Sequence, residues 1–76
     1  MFKYQATHGI WSTTFDSSAQ ALFHLLTHIA QNEGRSLAAF SVVPLEDEPG
    51  SYEIIDDRNT FVENMIVGTV LAVKVQ

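Results

Sequence analysis

Phe2-Lys3-Tyr4-Gln5-Ala6-Thr7-His8-Gly9-Ile10-Trp11-Ser12-Thr13-Thr14-Phe15 decides the fold of this chain. Residues 2–7 alternate, with Phe2, Tyr4 and Ala6 on one side and Lys3, Gln5 and Thr7 on the other. Residues 10–15 alternate as well, and His8-Gly9 lies between the two runs. A two-residue turn with Gly in second place predicts a tight β-hairpin. Pairing Thr7 with Ile10 sets Ala6 opposite Trp11, Tyr4 opposite Thr13 and Phe2 opposite Phe15. Every large aromatic then shares one face, whereas a slip of one residue would scatter them.

Working outward, Ser17-Ser18-Ala19-Gln20 reads as a capping box that opens a helix. Asp16 precedes it, near the positive helix end, and Gly34 closes the helix after Asn32-Glu33. At 100° per residue, Ala19, Leu22, Phe23, Leu25, Leu26, Ile29 and Ala30 fall on the apolar side. Gln20, His24, Thr27, His28 and Gln31 fall on the polar side. The pattern predicts an amphipathic helix laid on a sheet.

Residues 37–43 form an apolar run ending at Pro44 and are expected as a strand. Pro49-Gly50 has the order that a type II turn prefers, and residues 51–55 read as the next strand. A short helix is expected over 58–66, with Phe61 and Met65 one turn apart and Gly68 as its stop. Residues 69–75 are apolar on both alternating faces as far as Lys74, the mark of a strand in the middle of a sheet.

The expected order is β-β-α-β-β-α-β, a single α+β domain over 1–76 with a mixed sheet and one helix packed on one face. That order, with its central last strand, resembles the β-grasp superfold across the whole chain. The resemblance implies a last strand parallel to the first. Asp47-Glu48-Pro49-Gly50 is also similar to the acidic loop of β-grasp domains that pair head to tail in signalling scaffolds. In that likeness Asp47 and Glu48 would be the acidic half of a contact and Lys3 the basic half. The ubiquitin-like carriers of the superfold end in Gly-Gly, whereas this chain ends Lys74-Val75-Gln76, which argues against a conjugated role.

Composition narrows the function. With 46% hydrophobic and 17% charged residues the chain is built to fold. At 76 residues it is short enough that a partner or a second copy is a natural way to cover apolar surface, and a homo-oligomer is left open. It has no cysteine, so it has no disulfide framework and no thiol nucleophile. Four Lys and Arg against nine Asp and Glu give a net charge of −5. So few cations argue against direct nucleic-acid binding. No apolar run reaches the ~18 residues of a membrane helix, and the alternating N-terminus lacks the apolar block of a signal peptide, so a cytoplasmic protein away from membranes is expected.

Two clusters are candidate sites. His24 and His28 stand one turn apart, a two-ligand metal clip in principle, although Leu25 occupies the place of the glutamate in the zinc-protease helix motif. Imidazoles there also suit a partner-contacting face. The second cluster is acidic: Glu46, Asp47, Glu48, Glu53, Asp56, Asp57 and Glu63, with Arg58 among them. Such a patch fits the basic surface of a partner. His8 is expected to be structural, at the turn. There is no nucleophile elbow, no phosphate-binding loop and no motif for a cofactor.

The expected function is therefore a small, non-enzymatic, acidic protein-binding module. It would dock on a larger protein or complex with a basic surface through Glu46, Asp47, Glu48, Glu53, Asp56, Asp57, His24 and His28. In size and charge it resembles stand-alone phage and mobile-element inhibitors and adaptors, anti-CRISPR proteins among them. One alternative is a self-associating, structural β-grasp-like subunit. Another is a small metal-dependent enzyme using the two helical histidines.

Overall fold

A computed structural model describes residues 1–56 and 66–75. Its elements are β1 (Phe2–His8), β2 (Trp11–Phe15), α1 (Ser18–Glu33), a 3₁₀ turn (Leu37–Ala39), β3 (Phe40–Pro44), β4 (Tyr52–Asp56) and β5 (Ile66–Lys74). The strands form one sheet in the order β2-β1-β5-β4-β3, and α1 packs on one face, so the chain is α+β.

Each neighbouring pair is antiparallel. This corrects the mixed sheet and the parallel first and last strands of the β-grasp arrangement. The last strand is central, as its two-sided apolar pattern requires, but it runs against β1, with Ala6 opposite Val70. The helix expected over 58–66 lies outside the described residues, except that Ile66 opens β5 as a strand residue.

The hairpin forms with its turn moved along by one residue. His8 pairs with Trp11, Ala6 with Thr13 and Tyr4 with Phe15, so Gly9-Ile10 is the turn. Gly9 has φ 59°, the positive value that the first position of the two-residue hairpin turns requires and that glycine adopts without strain. The pairing is two residues from the expected one, so every side chain keeps its face.

Ser17 caps α1, its hydroxyl accepting from the Gln20 N–H at 3.1 Å. At the other end Gly34 adopts φ 65°; Gly34 N–H donates to Gln31 and Arg35 N–H to Ala30, which is the Schellman closure. The buried stripe of the helix is Ala21, Leu25, Ile29 and Ala30, packed on Ala6, Ile54, Val70 and Phe40. Phe23, expected on this side, is 60% exposed, and Ala19 is exposed too. The helix is rolled so that His24 and His28 flank the hairpin, and Phe23 turns outward.

Ser36 accounts for the late start of β3. Its hydroxyl accepts from Ala38 N–H at 3.2 Å and holds Leu37–Ala39 in a 3₁₀ turn, so the strand begins at Phe40 rather than at 37. Gly68 lies inside β5 rather than ending a helix. A Cβ there would stand 3.0 Å from Ile29 Cδ1 and 3.0 Å from the Thr7 carbonyl oxygen, so glycine is what lets α1 approach the sheet. Among the described residues no helix is long and apolar enough to cross a membrane.

Candidate functional site

The described acidic residues do not form one patch. Glu46, Asp47 and Glu48 sit exposed on the turn joining β3 to β4. Backbone bonds fix that turn: Leu45 N–H to Ser51 O at 3.0 Å, Glu48 N–H to Leu45 O at 3.3 Å and Ser51 N–H to Glu48 O at 2.9 Å. The last of these closes Glu48-Pro49-Gly50-Ser51, and Gly50 has φ 86°, which is type II geometry. The buried Ser51 hydroxyl accepts from Ala72 N–H at 2.9 Å and ties the turn to β5. The three carboxylates are thus presented on a preformed loop. Among the described residues no ion pair involves Glu46, Asp47, Glu48 or Glu53.

Asp56 leaves the expected patch altogether. It shares the covered face of β4 with Tyr52 and Ile54, its side chain is fully buried, and the Arg35 guanidinium donates to it at 2.7 Å. Arg35 also lies over the Phe40 ring, 5.0 Å from its centroid. This pair fastens the helix exit to the sheet. Asp57 lies outside the described residues. Lys3, the expected basic half of a head-to-tail contact, is paired with Asp16.

The helical histidines are partly covered. His28 stacks on Trp11 with centroids 4.4 Å apart and planes at 14°, and His24 stacks on Phe15 at 4.9 Å and 8°. His8 meets His28 edge-on at 5.5 Å. His8 Nδ1–H donates to the Val67 carbonyl at 2.6 Å, since a carbonyl can only accept. The two helical imidazoles thus stack on hairpin aromatics at the seam between α1 and the hairpin, His28 half-buried and His24 exposed. No group of three His, Asp or Glu side chains among the described residues is placed to share a metal ion.

The sheet face opposite the helix carries what the sequence reading missed. Register places Lys3, Gln5, Thr7, Ser12, Thr14, Val43, Glu53, Ile55, Ile66, Thr69, Leu71 and Val73 there. Leu71, Val43, Val73 and Ile66 are each between 38% and 43% exposed. Val43 sits opposite Glu53, next to the acidic turn, and Leu71 follows Val70, the partner of Tyr52 where β4 leaves that turn. On a sheet face that no described helix covers, Val43 on β3 and Leu71 and Val73 on β5, with Glu53 and Thr69 between them, thus adjoin the acidic turn.

No protein-family model, curated protein or solved structure matches the chain significantly.

Proposed function

We propose that this chain is a non-enzymatic protein-binding module that docks the open sheet face and the adjoining acidic turn on a larger protein. The observation that carries the reading is the continuity of the two. Val43, Leu71 and Val73 offer exposed apolar area on a rigid sheet, and Glu46, Asp47 and Glu48 stand at its end without a cation among the described residues. Apolar contact supplies affinity, and the carboxylates supply orientation and association rate. The complementary partner surface is an apolar patch bordered by Lys and Arg. A small inhibitor or adaptor that occupies a basic groove of a nucleic-acid-processing complex has this form.

The test uses the whole chain as bait in its native host's lysate. Partners retained by the native protein should be released by E46K/D47K/E48K and by Leu71→Ser, with helical circular dichroism unchanged in both. A partner retained equally by both variants would place the working surface elsewhere.

A further inference from the structure

The two edges of the sheet are unlike. β3 ends at Pro44, which has no N–H to offer, and runs straight into the acidic turn; both features discourage strand addition. β2 has neither. Trp11-Ser12-Thr13-Thr14-Phe15 contains no proline and no charge, and Ser12, Thr13 and Thr14 are exposed.

Its backbone groups can be assigned from the register. His8 and Trp11 close a two-residue turn and so form a hydrogen-bonded pair, and such pairs alternate along an antiparallel ladder. Trp11, Thr13 and Phe15 therefore turn their N–H and C=O toward β1. Ser12 and Thr14 turn theirs to the free edge.

The side chains of β2 read alike in both directions about Thr13: aromatic, hydroxyl, threonine, hydroxyl, aromatic. We infer that β2 is a self-pairing edge, which joins two copies of this chain antiparallel about a two-fold axis through Thr13 into one ten-stranded sheet. In that register Ser12 faces the second copy's Thr14 as a hydrogen-bonded pair, and its symmetry mate completes four backbone bonds. Thr13 faces Thr13, and Trp11 faces Phe15 at both ends. Threonine pairs and aromatic pairs are favourable cross-strand neighbours, and no like charges meet. The acidic turns lie at the far edges, nine strand spacings or roughly 43 Å apart, well beyond the Debye length of about 8 Å. The three carboxylates of each turn are thereby kept away from the joint. This inference is independent of the proposed partner contact.

The experiment is the solution mass of the full chain across a concentration series. The native protein should rise from one copy toward two. Thr13→Lys and Thr13→Glu each place like charges on the axis, so each alone should associate about tenfold more weakly or less. Their equimolar mixture should recover the dimer. Thr14→Pro removes an outward N–H without touching the β1 ladder, so it should remain a folded single copy. A native protein that stays at one copy up to millimolar concentration would overturn the inference. So would association unchanged by Thr13→Lys and Thr14→Pro, or a Lys–Glu mixture that fails to pair.

Discussion

His28 lies flat on Trp11, ring centroids 4.4 Å apart and planes 14° from parallel. The contact joins the third turn of α1 to the first residue of β2, so it pins the hairpin, the outermost part of the sheet on that side, to the helix. Stacked ring pairs contribute about 0.5–1.5 kcal/mol beyond the area they bury. His28→Ala should therefore lower stability by about 1–2 kcal/mol and expose Trp11, shifting its fluorescence to the red. Urea unfolding followed by that fluorescence checks both effects. Trp11 is the single tryptophan, so the signal is unambiguous.

The Arg35–Asp56 pair should be the most costly polar contact to break. Arg35→Ala leaves a carboxylate with a fully buried side chain without its guanidinium, a change that costs about 3–5 kcal/mol. A 76-residue domain has roughly 4–11 kcal/mol in hand, so a large fraction of this variant should be unfolded or close to it. Replacing Lys3 should cost under about 1 kcal/mol, because its pair with Asp16 is exposed. Chemical denaturation of the two variants side by side measures the contrast.

Gly68→Ala should destabilise by about 1–3 kcal/mol through overpacking, since the added methyl meets Ile29, Leu25 and the Thr7 carbonyl oxygen within 3.2 Å. Gly34→Ala meets no neighbour within 4 Å, and its penalty, about 1–2 kcal/mol, comes from the left-handed backbone alone. Shortening Ile29 should rescue the first variant and leave the second unchanged. A double-mutant cycle reads that difference.

Phe23 and Leu25 differ by two positions on α1 and should differ sharply in effect. Leu25→Ala removes a fully buried side chain and should cost about 2–5 kcal/mol. Phe23→Ser changes a side chain 60% exposed and should stay within about 0.5 kcal/mol. Thermal melts decide between this orientation of the helix and the one expected from apolar periodicity, in which Phe23 is buried.

Much of the architecture is legible in local patterns. Ser17 and Gly34 mark both ends of the helix because capping is decided by neighbours in sequence. The faces of the hairpin are legible because alternation fixes parity. Its turn is not, because Gly9 can fill either turn position, and the long-range contacts of His8 with Val67 and His28 accompany the observed register. Gly68 reads as a helix stop, since nothing local announces that α1 approaches there. The direction of β5 is likewise a tertiary matter, as parallel and antiparallel neighbours can share one alternation.

The acidic cluster shows the same limit. Glu46, Asp47 and Glu48 are where a polar turn should put them. Asp56 is adjacent in composition but sits two residues beyond Ile54, on the covered face, where Arg35 neutralises it. Strand parity carried that signal. The apolar face opposite the helix was present as well, in the two-sided pattern of 69–75, which by itself cannot say which of its sides α1 covers.

The proposed function rests on the face opposite the helix meeting the partner. Its most direct test is a photo-crosslinking residue placed singly at Leu71, at Glu48 and at Phe23, with each full-length protein irradiated in the native host's lysate. One partner band should appear from Leu71 and Glu48 and be absent from Phe23, which lies on the helix away from the sheet. A band from Phe23 with none from Leu71 would contradict the account and move the working surface to the helix.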